Sequence, residues 1–139
     1  MVKVEFVYQS APHSGEKHTL LTHGPSGAVL KTDAPKDNNG NGESFSPTDL
    51  VASALGSCML TVMAINAEKD DISLQGAKAQ VTKEMTTNPR RISKLTVEIE
   101  MPPGIPVDAR EKLETIARTC PVAKSISAEI ETPIRFIWS

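Results

Sequence analysis

Between Leu50 and Ala67 the chain runs for 18 residues without a charge. Such a run must be enclosed by apolar neighbours, and it therefore sets the plan of everything around it. It sits at the lower length bound for a membrane span. Ser53, Gly56, Ser57, Thr61 and Asn66 interrupt it, Asp49 precedes it, and Glu68, Asp70 and Asp71 follow. Those polar interruptions and flanks favour a buried core helix over a membrane helix.

Ser46-Pro47-Thr48-Asp49 has the form of a helix start. Ser46 can cap, Pro47 suits the first helical position, and Asp49 falls in the acid-favouring first turn. The helix is expected to extend to about Lys69. Small residues recur four apart, at Ala52 and Gly56 and at Ser53 and Ser57, which would let another backbone approach closely. The same helix of a second chain would fit there.

Around this helix the patterning changes to a period of two. Val2, Val4, Phe6 and Tyr8 alternate with polar residues as in a half-buried strand. His18–Thr22 and Ala28–Thr32 flank the turn residues His23-Gly24-Pro25-Ser26-Gly27, so the first part reads as a small antiparallel meander. Asp33–Phe45 has neither period, and a loop of that length in a compact domain is mobile or functional. Ala77–Thr82 and Lys94–Met101 alternate again, as antiparallel strands with one buried face. Asn88-Pro89-Arg90-Arg91 is read as the solvated turn between them.

Pro102-Pro103-Gly104 ends the second of these strands. Val107, Leu113, Ile116 and Ala117 have helical spacing from about Pro106 to Arg118, and a short helix is expected from Pro121 with Cys120 near its cap. Ile130, Ile134, Phe136 and Trp138 suggest a last strand. The class is α+β, in a single domain spanning 1–139, with no internal repeat.

Fifteen basic residues against seventeen acidic ones leave no footprint for a nucleic-acid backbone or an anionic membrane surface. Few aromatic residues are present for base stacking. Nucleic acid and membrane are therefore not expected partners. Met1-Val2-Lys3-Val4-Glu5-Phe6 lacks the apolar core of a secretory signal, which makes a cytoplasmic location the expectation. His13, His18 and His23 are spaced five apart, which fits neither a helical zinc pair nor one face of a strand. They are read as surface histidines, and no metal site is expected.

Two cysteines are too few for a disulfide scaffold, and no CxxC pair suggests a zinc ribbon or thioredoxin motif. By local physics, Cys58 inside an apolar helix is a small buried hydrophobe, inert because burial raises its pKa. Cys120 has the stronger local case, since unpaired N–H groups at a helix start stabilise a thiolate. Whether the two thiols meet is the question the patterning leaves open.

The segment Ser46-Pro47-Thr48-Asp49-Leu50-Val51-Ala52-Ser53-Ala54-Leu55-Gly56-Ser57-Cys58 resembles the signature of the OsmC/Ohr superfamily, the osmotically inducible and organic hydroperoxide resistance proteins. Cys120-Pro121-Val122 resembles that family's second cysteine at a helix start. The resemblance covers essentially the whole chain. It implies an OsmC-like fold, antiparallel sheets around a long central helix that carries the first cysteine, in an intertwined homodimer. It also implies thiol-dependent reduction of organic hydroperoxides without a cofactor. Cys58 would be the attacking thiol, passing through a sulfenic acid, and Cys120 would resolve it as a disulfide. An external dithiol, resembling a protein-bound lipoyl group, would reduce that disulfide.

The well-characterised peroxidases of the family carry a glutamate one position after the helix-start proline, holding an arginine over the thiolate. This chain has Thr48 there and no arginine before Arg90. Cys58 lies far from its helix terminus and needs a nearby cation for a low pKa, for which Lys17, His18 or a partner chain's residue are the candidates. The rival expectations are a non-catalytic OsmC-like binding protein and a redox sensor.

Overall fold

The computed structural model describes residues 1–10 and 16–139. It falls into two compact units, residues 1–50 and 51–139.

In the first unit, β1 (Val4–Ser10), β2 (Lys17–His23) and β3 (Val29–Lys31) form the expected antiparallel meander in the order β1-β2-β3. Phe6 pairs with Leu21, Leu21 with Leu30, and Val4 with His23. Directly opposed residues share a face, so Val4, Phe6, Leu21 and Leu30 stand together. The reading of β1 as half-buried does not hold, because every residue of the strand is exposed. Indeed, among the described residues of this unit the buried side chains are all polar: His18, Thr32, Asp33 and Ser46.

The aperiodic stretch from Asp33 to Phe45 is pinned by its own backbone. A 3-10 turn, Lys36–Asn38, is closed by Gly40 N–H donating to Pro35 O at 3.0 Å and Gly42 N–H to Ala34 O at 3.1 Å. Gly40 is required there, because a Cβ would stand 1.8 Å from Ala34 O. Asp33 N–H also donates to Phe45 O at 3.0 Å, which closes the stretch end to end.

The long helix α1 (Pro47–Lys69) begins where the local code places it. Asp49 N–H donates to Ser46 Oγ at 3.1 Å, and Ser46 N–H donates back to Asp49 Oδ2 at 2.9 Å. Two orphan donors of the first turn are thereby satisfied reciprocally. By length and composition α1 could cross a membrane. Leu55, Met59, Met63 and Ala67, however, lie in the protein's own core at 1% exposure or less. Its enclosure is one-sided, since Ser53, Ala54, Ser57, Thr61 and Ile65 remain exposed.

In the second unit β4 (Lys78–Thr86), β5 (Arg91–Glu100) and β6 (Ile134–Ile137) form a sheet in the order β4-β5-β6. β4 and β5 are antiparallel. The buried positions of β5, Ile92, Leu95, Val97 and Ile99, include one step of three residues where a period of two allows none. A register shift resolves it: Glu84 pairs with Lys94 and Met85 with Ile92, leaving Ser93 as the extra residue of a bulge. Beyond the bulge every second side chain returns to the core.

β6 pairs with β5 in parallel, a direction the alternation of its residues does not reveal. A parallel neighbour requires a crossover, and α2 (Val107–Arg118) with α3 (Pro121–Ser125) supplies it. α2 buries Leu113 and Ala117. α1 approaches β4 closely at Gly56, where a Cβ would lie 3.0 Å from Val81 Cγ2. All the buried apolar side chains among the described residues belong to this unit.

Candidate functional site

Cys58 lies in the row Val51, Leu55, Cys58, Val62 of α1, at the edge of its buried face, and is half-buried. Cys120 is the N-cap of α3, with the extended backbone (φ −61°, ψ 148°) that a cap requires. Its N–H donates to Ala117 O in the last turn of α2 at 3.3 Å, and its Sγ accepts from Ala123 N–H at 3.3 Å. Pro121 takes the first helical position, where its missing N–H costs nothing.

The two thiols, 62 positions apart in the chain, meet. Both are free, and their side chains lie within hydrogen-bonding reach of each other. Cys120 is 1% exposed. Burial pushes its thiol above the ordinary value, the Ala123 amide pulls it back, and neighbouring Cys58 pushes it up again. The helix start therefore does not make Cys120 an acidic thiol, as its position in the sequence suggested. One amide of a five-residue helix does not offset removal from water.

The residues considered as activating groups have partners of their own within residues 1–50. Lys17 Nζ donates to Asn39 O at 2.8 Å. His18 is buried rather than on the surface. Its Nδ1 lies 2.9 Å from Thr32 O, and since a carbonyl only accepts, that nitrogen carries the proton. Asp33 Oδ1 stands 3.6 Å from the same nitrogen, while Asp33 Oδ2 accepts Glu43 N–H at 2.9 Å. Sequence reasoning missed this pair because its partners are a carbonyl and a carboxylate from a stretch without periodicity. The acidic Asp33, beginning an otherwise turn-like segment, was the available signal.

His23 Nδ1 lies 2.6 Å from Ser26 Oγ inside its own turn, and His13 lies outside the described residues. No group of three or more His, Cys, Asp or Glu side chains among the described residues could hold a metal ion. Thr48 Oγ1 stands 3.2 Å from Ser46 Oγ in the capping network of α1.

A buried cysteine at a helix start thus lies within reach of a half-buried cysteine on the long core helix of an α+β fold. The OsmC-like protein family matches residues 40–135, and the chain belongs to that family. It is similar to the crystal structure of an osmotic stress induced and detoxification response protein from Psychrobacter arcticus 273-4. That likeness has 39% identity and a TM-score of 0.89, over 98% of this chain and 96% of the other. An organic hydroperoxide resistance protein OsmC from Legionella pneumophila shares the fold at 16% identity and TM-score 0.71, over 99% of this chain and 96% of that one. An organic hydroperoxide resistance protein from Elizabethkingia anophelis does so at 14% identity and TM-score 0.72, over 100% and 96%. No curated protein matches the sequence.

Proposed function

We propose that the chain is a thiol-dependent peroxidase that reduces organic hydroperoxides through Cys58 and Cys120. The observation that carries this reading is the contact between two free thiols of unequal exposure. The Cys58 thiolate attacks the terminal peroxide oxygen, the O–O bond breaks, and the alcohol departs with a proton, leaving a sulfenic acid on Cys58. Cys120 then displaces the sulfenic hydroxyl, releasing water and forming the Cys58–Cys120 disulfide. An external dithiol, of which a lipoyl protein is one form, returns both thiols. The working form in this reading is a cytoplasmic homodimer.

The test is consumption of tert-butyl hydroperoxide in the presence of dihydrolipoamide. Cys58→Ser is expected to abolish turnover, and Cys120→Ser to allow one oxidation event without efficient recycling. Undiminished turnover in the Cys58→Ser protein would sink the reading.

One feature favours a second reading, a binding protein that keeps the fold without the chemistry. Thr48 is uncharged and bound into the helix cap, so it cannot hold a cation over Cys58 as a glutamate would. The alkylation rate of Cys58 against pH separates the two. An apparent pKa at or above about 8.5, the free-thiol value, removes the activated nucleophile and leaves the binding protein.

A further inference from the structure

The two cysteines differ in exposure, and exposure bears on how a disulfide between them would be reopened. Exchange requires a thiolate to approach the attacked sulfur from the side opposite its bonded partner, so access to that sulfur is part of the rate. Cys58 is half-buried on α1. Cys120, at 1% exposure, offers almost no surface for such an approach. At the same sulfur the first turn of α3 directs the Ala123 N–H, 3.3 Å away. An amide held there stabilises the negative charge that appears when Cys120 is expelled.

We propose, resting on the peroxidase reading, that the external dithiol opens the disulfide at Cys58, and that Cys120 leaves as a thiolate onto the Ala123 amide. An S–S bond forms between the dithiol and Cys58 Sγ as the Cys58–Cys120 bond breaks, and the bonding electron pair departs on Cys120 Sγ. The second thiol of the reductant then attacks its own sulfur in the mixed disulfide. That closes the reductant into a cyclic disulfide and frees Cys58. Two electrons and two protons pass from the dithiol to the protein.

One effect opposes this direction. Burial pushes the Cys120 thiol upward, which makes it the poorer leaving group. A less acidic thiol leaves more slowly, so this effect slows exchange at Cys58. A sulfur without surface is reached only in the rare moments when its surroundings open, which is the larger penalty. The Ala123 amide offsets part of the smaller one.

The experiment starts from protein oxidised with diamide, so that the disulfide does not depend on peroxidase activity. A brief pulse of 2-mercaptoethanol, acid quenching, alkylation with N-ethylmaleimide and peptide mass mapping locate the adduct. Mercaptoethanol on Cys58 with maleimide on Cys120 is the expected major product. Adducts mainly on Cys120, or shared evenly, overturn the proposal, as does failure of diamide to join the two cysteines. Correct placement in a protein that does not consume hydroperoxide would sink the peroxidase reading alone.

Ala123→Pro removes the N–H that donates to Cys120 Sγ. It is expected to slow reduction of the disulfide about tenfold, the scale of one hydrogen bond to a charged group. In the Cys58→Ser background it should also raise the Cys120 pKa, read from alkylation rate against pH. No change in either measurement removes Ala123 from the step.

Discussion

Cys120 shows how one atom answers to several forces at once. Its sulfur caps a helix, touches a second thiol and is buried, and the burial dominates its acidity. Asp33 is the opposite case. Glu43 N–H donates to its carboxylate and holds its pKa below the ordinary aspartate value, with the neighbouring His18 pulling in the same direction. The folded pKa is lower than the unfolded one, so the unfolded chain binds the extra proton in the acid range. The stabilisation is therefore complete above about pH 4 and is lost as pH falls through the folded value. Asp33→Asn keeps the shape and removes the charge. Its melting temperature should lie below the parent's at neutral pH and converge on it as the pH falls below about 4. Melting curves that stay parallel over that range would exclude the carboxylate as the source.

At the scale of elements, α1 is specified at its start by four residues and along its length by packing. The reciprocal bonds of Ser46 and Asp49 form a capping box, and loss of the cap hydroxyl costs about 1 kcal/mol. Ser46→Ala should lower the melting temperature by about 3–5 °C, and Ser46→Asp, which keeps an acceptor, should recover most of it. Equal melting temperatures for parent and Ser46→Ala would mean that the helix start is held by other contacts. β5 makes a complementary point. Its alternation is legible in the sequence, but the three-residue step from Ile92 to Leu95 has meaning only beside β4, where the bulge at Ser93 absorbs it. The direction of β6 is likewise invisible in four residues, because a period of two is the same for parallel and antiparallel neighbours.

For the whole molecule, the distribution of buried apolar side chains is the decisive fact. Among the described residues, 51–139 hold the buried apolar side chains, while 1–50 bury only polar ones and leave Val4 40%, Phe6 62% and Tyr8 64% exposed on one face of β1. An apolar face left uncovered in this way marks an interaction surface. A second copy of the chain is the occupant expected from the homodimer reading. Phe6→Glu places a charge in that face next to Val4 and Leu21. In sedimentation velocity the parent should run as a dimer and the variant should shift toward monomer. A parent that stays monomeric at micromolar concentration would remove the dimer from the proposal.

What the sequence by itself determined is local. The cap at Ser46, the extent of α1, the alternation of β4 and β5 and the helix start at Pro121 each rest on residues within a few positions of one another. The cysteine motifs Ser46–Cys58 and Cys120–Val122 also mark the family. The tertiary structure decided what depends on distant residues meeting. It brought Cys58 to Cys120, buried His18 against Thr32 and Asp33, and reversed the expected acidity of Cys120. The physical reason is the same in each case. Periodicity and capping report which groups a residue bonds to along its own element, whereas burial and proximity belong to the packing of different elements, which a linear pattern does not contain.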